Sequence, residues 1–453
     1  MATELSEAVT AATAASASSV IQKVIDTNIL QYVRRYSPFL AACPSKKINT
    51  NSYYFVQRTA LPDGGAVTDG GARTQSTSTW AQQNFDIKLY QSLGGVTGYA
   101  QAVTAGVVGD LLRAEVDGAM SNLMWGIETS MLYGNASATA GVSASAGPDM
   151  QGLDYQVSTF TGSTQNAIDE AGGALSLAML DNLIDLVEEN AAMPLGSDWM
   201  LLASPSANSK VAQLLTNQQR FNDRVEVAAG LQVPSYRDLP IVKSSFLSAR
   251  TQAFGTVTPS TATTGGTLAA ATYFYRVSAV INRFGEIAAS TEVSQATTGA
   301  ASTVTLTFAT PSGPDGNSPI LYKVYRSTAT GTESLLGVVA GVDDLGAAVT
   351  SIVDTGAALQ VNGRAATVTA PWPTAYVGTN TGALPRGSKH EDIYLVPRTP
   401  DFMVRPYVRD FFTKELAQVA TAPDVLSFYI ASDTALAVRA PKYVGRLARV
   451  TGL

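Results

Sequence analysis

Between residues 255 and 370 the chain loses all helical period, and this constrains its fold more than any other feature. Thr, Gly, Ala and Val dominate there. Alternating runs occur at 272–281, 303–308, 320–326 and 335–340. Turn clusters such as Asn282-Arg283-Phe284-Gly285 and Pro314-Asp315-Gly316-Asn317 separate them. Short strands at such spacing, over about 100 residues, predict a β-sandwich. Upstream the pattern is mixed. Leu177, Leu180, Ile184, Val187 and Ala191 mark an amphipathic helix stopped before Pro194. Trp199 to Ala203 reads as a strand, Ser204 and Pro205 open a second helix, and Leu239 to Val242 is another apolar strand. Mixed texture resumes at Ile393-Tyr394-Leu395-Val396. A sandwich flanked in this way is an insertion in a discontinuous host domain.

The N-terminal part carries an arm, a hairpin and a long helix. Residues 1–19 are mostly Ala, Ser, Thr and Glu and read as a mobile or partner-ordered arm, with a short helix over 20–35. In 51–90, Tyr53 and Phe55 alternate with Tyr54 and Val56 going up, and Phe85, Ile87 and Leu89 alternate with polar residues coming down. The tip is Gly-, Thr- and Ser-rich. A hairpin this long does not bury its own faces and must lie on the body or on a neighbour. Over 107–132, Val108, Leu111, Leu112, Val116, Met120, Leu123, Ile127 and Met131 recur at three- and four-residue steps, predicting one long helix. Asp110, Arg113, Asp117 and Glu128 are expected away from that stripe.

Composition narrows the chemistry. Charged residues make up 15% of the chain, against roughly 25% in ordinary soluble proteins. Low surface charge predicts area covered by other subunits. There is one histidine, His390, and one cysteine, Cys43, which excludes an intrachain disulfide and a four-ligand His/Cys zinc site. The net charge of -6 gives no bulk attraction for nucleic acid. Glu4 and Glu7 stand where a signal peptide would be basic, and no run reaches the roughly 18 apolar residues of a membrane span. The expectation is synthesis in the cytosol, with Cys43 a buried thiol, no membrane partner and no cofactor or metal.

Candidate catalytic groups have simpler readings. Asp354-Thr355-Gly356 matches the aspartic-protease tripeptide, but a second copy would have to supply the other carboxylate. The alternative is a turn at a strand end, with Gly356 at positive φ. His390 stands beside Glu391 and Asp392 in a polar run that also reads as a loop. The Gly-rich segment 64–71 lacks the Gly-Lys-Ser/Thr ending of a phosphate loop. Arg439, Lys442, Arg446 and Arg449 form a basic terminal stretch without an acid, able to contact nucleic acid or an acidic neighbour. No catalytic residue is assigned, and the chain is not read as an enzyme.

The order of arm, hairpin, long helix and mixed segments resembles the major capsid protein of tailed bacteriophages, the Hong Kong 97-type fold. Glu128-Thr129-Ser130-Met131-Leu132-Tyr133-Gly134-Asn135, followed by Gln151-Gly152-Leu153-Asp154-Tyr155, is similar to the family's exit from its spine helix. Leu231-Gln232-Val233 with Asp238-Leu239-Pro240-Ile241-Val242 resembles its axial strand pair, and Leu436-Ala437-Val438-Arg439-Ala440-Pro441-Lys442 its closing strand. Residues 272–280 and 322–327 resemble an immunoglobulin-like or fibronectin type III module.

The resemblance implies an α+β capsid fold in ordered parts: an N-terminal arm (1–35), an E-loop hairpin region (36–106), a peripheral domain with the spine helix (107–150), an axial domain (151–254), the inserted β-sandwich (255–375) and return strands (376–453). It implies hexamers and pentamers in an icosahedral head enclosing double-stranded DNA, with the sandwich displayed outward. Partners would be copies of the chain, a portal, scaffolding or decoration proteins, and DNA held without sequence preference; assembly would occur in the host cytoplasm and the product would be the virion. Tyr53, Phe55, Phe85 and Ile87 are the expected inter-subunit contacts, and Leu111, Leu123 and Ile127 the expected helix core. An encapsulin-like compartment shell is one alternative; an enzyme with a carbohydrate-binding sandwich is another.

Overall fold

The structure is a computed structural model. It describes residues 37–69, 71, 76–105, 110–134, 149–158, 166–170, 173–217, 224–228, 231–248, 250–282, 285–312, 318–343, 347–356, 359–361, 364–365, 391–416 and 424–452. The arm and its short helix, Val108 and His390 lie outside these. The described chain falls into two compact units, one drawn from 93–119 and 413–429 and the other holding the remainder.

The larger unit is built on a seven-stranded mixed sheet. Its strand order is Ala167–Asp169, Gly445–Val450, Glu391–Pro397, Trp199–Ala203, Leu239–Lys243, Leu231–Tyr236, Arg224–Ala228. Trp199–Ala203 is buried at every position because it runs centrally, antiparallel to Glu391–Pro397 and parallel to Leu239–Lys243. The predicted helix is Leu177–Ala191. Ser176 caps it by accepting the Met179 amide, and Ala192 ends it at φ 54°. Its stripe Leu177, Leu180, Ile184, Val187 and Ala191 is buried, as the spacing requires. The second helix, Pro205–Asn217, is capped by Ser204 Oγ on the Ala207 amide. Both helices pack with the sheet in one apolar core.

Residues 250–365 make two further sheets. One has the order Arg250–Ala253, Gly285–Ala288, Thr272–Ile281, Pro319–Ser327, Ser334–Ala340, and Val293–Ala296 also pairs with Thr272–Ile281. The other has the order Val257–Ala262, Thr303–Phe308, Ser351–Asp354, Leu359–Val361, Arg364–Ala365. Tyr275, Val277, Tyr322 and Val324 of the first share a core with Val304, Leu306 and Ile352 of the second. Phe254 belongs to that core, so the sandwich draws in residues before 255. Alternation along Thr272–Ile281 fails from Tyr275 onward, where every residue is buried. The outward face of that sheet is therefore covered.

The smaller unit holds the first part of the long helix Leu111–Tyr133, the helix Gly98–Thr104, the strand Phe412–Glu415 and the start of Val425–Thr434. Thr97 caps Gly98–Thr104 by accepting the Ala100 amide. Asp110 Oδ1 accepts the Arg113 amide and so caps the long helix.

Candidate assembly surface

The hairpin pairs Ser52–Ala60 with Thr79–Asp86, in a register that sets Tyr53 opposite Phe85 and Arg58 opposite Trp80. It forms a two-stranded sheet of its own. The strands alternate as the sequence predicts, and the face expected to meet neighbours packs largely on its own chain. Tyr53 and Phe55 are buried, and with partly buried Phe85 they pack on Ile48, Val404 and Ala437 of the same chain. Phe85 stacks on Phe55 at 6.0 Å. Ile87 is half-buried, its amide on the Asn51 carbonyl. The side chains presented to solvent are Tyr54, Val56 and Trp80, each more than half exposed, with Arg58 4.4 Å over the Trp80 ring. A period of two puts these on the face opposite Tyr53 and Phe55. Beside the hairpin root lies a groove of 630 Å³, walled by Phe55, Phe402 and Tyr443 with Arg58, Arg439 and Lys442 at its edge.

The long helix departs from expectation at two positions. Leu123 and Ile127 are buried, but Leu111 is only half-buried. Glu128, expected on a polar face, is 0% exposed. The reason is that the last seven residues of the helix, from Ile127 to Tyr133, are enclosed on every side. Glu128 Oε1 accepts the Phe39 amide at 3.1 Å and Oε2 the Leu40 amide at 2.7 Å, supplying a cap to the short helix Pro38–Ala42 from distant sequence. The helix exit then crosses residues 150–152. A Cβ on Gly152 would stand 2.5 Å from the Gly134 nitrogen and 2.8 Å from the Ser130 carbonyl oxygen, so this crossing requires glycine.

Burial raises the Glu128 carboxyl from 4.5 to about 7, against the lowering effect of the Leu40 and Phe39 amides and Ser244. A raised carboxyl pKa means that the folded chain binds the proton more tightly. Its contribution is fully present below the unfolded value of 4.5 and is lost as pH rises through the folded value of about 7. Wild-type stability relative to Glu128→Gln is therefore expected to fall by roughly 3 kcal/mol from pH 4.5 to pH 7. Paired urea titrations of the two proteins at several pH values check this, and a pH-independent difference would refute it.

A second polar cluster lies where the sandwich meets the mixed sheet. Strand Pro319–Ser327 sends Tyr322 and Val324 into the sandwich core and Lys323 and Tyr325 to the other face. Lys323 Nζ is 2.7 Å from Glu286 Oε2 and 3.6 Å from Asp154 Oδ2. Asp154 sits on the helix Leu153–Ser158; its Oδ1 pairs with Arg446 Nη1 and accepts from the Tyr394 hydroxyl at 3.4 Å. Arg446 Nη2 reaches Asp392 Oδ2 at 2.7 Å, and Asp392 Oδ1 accepts the Arg449 amide at 2.9 Å. Ser278 donates to Glu286 Oε1 at 2.6 Å. Burial alone would strip the Lys323 proton; Glu286 and Asp154 outweigh it and hold the ammonium well above its usual range.

Other sequence candidates resolve accordingly. Arg446 and Arg449 are interior residues, not a basic surface. Their acidic partners, Asp154 and Asp392, come from elsewhere in the chain, so the acid-free terminal stretch was misleading. Arg439 is half-buried with its guanidinium 5.5 Å over Phe55, and only Lys442 of the four is exposed. Asp354 is buried between the Tyr275 hydroxyl and Arg326, each at 2.8 Å, and Gly356 turns at φ 83°. That is the turn reading of the tripeptide. Burial pushes the Cys43 thiol up to about 12, which leaves it an inert core group.

Among the described residues no group of three His, Cys, Asp or Glu is placed to hold a metal ion, and no helix is long and apolar enough to cross a membrane. The chain instead offers contact: an apolar ribbon face outside and interlocked charges within. These features define a structural subunit. The sequence profile of the SU10 major capsid protein family matches residues 9–258, more than half of the chain, and the chain belongs to that family. It is a major capsid protein of a tailed-phage head, acting as many copies of itself in the capsid shell of the virion. The match favours the capsid reading over both alternatives.

No curated protein matches the sequence. Similar solved structures include the native GTA particle capsid, at 9% identity and TM-score 0.49, covering 98% of this chain and 100% of that one. The SrpI encapsulin of Synechococcus elongatus PCC 7942 is similar at 8% identity and TM-score 0.47, covering 96% and 94%. The capsid of cyanophage P-SCSP1u is similar at 12% identity and TM-score 0.46, covering 98% and 97%.

Proposed function

We propose that this capsid protein builds hexamers and pentamers of an icosahedral Hong Kong 97-type head around double-stranded DNA, with the hairpin's outer face as a principal inter-subunit contact. The observation that carries the reading is the hairpin itself. One face is anchored on its own subunit, while Tyr54, Val56 and Trp80 stand exposed on the other. Burying such side chains against a neighbour gives about 1.5–3 kcal/mol each. In the smaller unit Leu93, Tyr99 and Val103 are similarly exposed and would add contacts. Low overall charge fits a surface largely covered in the shell.

Residues 250–365 act in this reading as an immunoglobulin-like or fibronectin type III-like module displayed on the outer surface. Portal, scaffolding and decoration proteins and the packaged DNA are the further partners, and assembly takes place in the host cytoplasm. Replacing Tyr54, Val56 and Trp80 together by serine is expected to leave soluble, folded subunits that form no shells. Size-exclusion chromatography with electron microscopy reads the outcome, and shells in wild-type yield would refute the contact.

A further inference from the structure

We propose that the buried junction is a covalent modification site, where Lys323 of the sandwich condenses with Asp154 to form an isopeptide bond, with Glu286 as proton carrier. The amine nitrogen lies 3.6 Å from Asp154 Oδ2, too far for a hydrogen bond; that oxygen is one bond from the carbon the amine would attack, and the amine already donates to Glu286 at 2.7 Å. The three side chains are 4%, 2% and 7% exposed. Groups held this way react with effective molarities of about 10⁵–10⁸ M, far above the concentration of liquid water that opposes amide formation.

The residues present account for each step. Lys323 passes one proton to Glu286 Oε2, and the freed nitrogen attacks Cγ of Asp154. Negative charge gathers on Oδ1, where Arg446 Nη1 and the Tyr394 hydroxyl already sit. The bond from Cγ to Oδ2 breaks. Oδ2 leaves as water, taking the proton held by Glu286 and a second proton shed by nitrogen. An ammonium and a carboxylate thus become one amide and one water, Glu286 returns to its carboxylate form, and nothing is oxidised or reduced.

Condensation also removes two charges from a site where each is costly to bury. Arg446 remains paired with Asp392, and Glu286 keeps the Ser278 hydroxyl. A simple ion pair between Lys323 and Glu286 needs no second carboxylate at the nitrogen. The bond would join residues far apart in sequence and so tie the sandwich to the subunit independently of pH and salt.

The test is the intact mass of the full-length protein after complete denaturation. Wild type is expected to be lighter than its sequence by one water, with peptide mapping locating the link between residues 154 and 323. Lys323→Met and Glu286→Gln are expected to keep the mass of their own sequences. Asp154→Asn changes the leaving group, so it is expected to lose one ammonia instead. A wild-type protein that is folded by circular dichroism and carries its full sequence mass would overturn the proposal, as would a water lost at any other site.

Discussion

Lys323→Met is expected to cost the subunit about 3–5 kcal/mol. The substitution is nearly neutral in volume, so little of that loss comes from packing. It comes from Glu286 and Asp154, which keep their places on either side of an apolar tip in a site closed to water. Arg446 still answers Asp154, but Glu286 loses the ammonium that stood 2.7 Å away and keeps the hydroxyls of Ser278 and Tyr325. The same two carboxylates are stranded whether Lys323 serves as an ammonium or as an amide. Urea unfolding followed by tryptophan fluorescence measures the loss. Adding Glu286→Gln to Lys323→Met is expected to recover part of it, because the buried anion becomes neutral. A cost below about 1 kcal/mol, the level of a surface ion pair, would mean that water reaches the junction.

The sequence was most legible where one period governs one face. Leu177 to Ala191 and Trp199 to Ala203 are found with the predicted elements because each is a complete element in a single core. The hairpin's strands were legible for the same reason, but alternation does not say which face meets its own body. Tyr53 and Tyr54 are equally apolar, and only the tertiary partners Val404 and Ala437 decide between them. The buried charges were not legible. Lys323 stands in Tyr322-Lys323-Val324-Tyr325, which reads as an ordinary half-exposed strand. No local pattern records that the outer face of that sheet is covered, or that Asp154 and Arg446 meet it there. Glu128 was missed likewise: its end of the long helix has no exposed face, and its amide partners lie 88 and 89 residues away.

Excising residues 250–365 and joining the ends through a short flexible linker is expected to leave a folded subunit that still forms shells, a milder outcome than the single substitution at Lys323. The two changes remove the same cation but differ in what remains. Lys323→Met leaves its carboxylates buried, whereas excision takes Glu286 away with Lys323 and opens Asp154, Arg446 and Asp392 to water. Charges that regain solvent carry little penalty. The seven-stranded sheet contains no strand from the excised range. The turn Ser245–Leu247 lies against Glu391–Pro397, so the host segments on either side of the insertion meet without it. Starting the cut at 250 also removes Phe254, which a cut at 255 would leave without its sandwich core. Electron microscopy of the excised protein beside full-length Lys323→Met gives the comparison. If the excised protein is insoluble while Lys323→Met assembles normally, the sandwich is an integral part of the subunit core and the junction charges do not govern its stability.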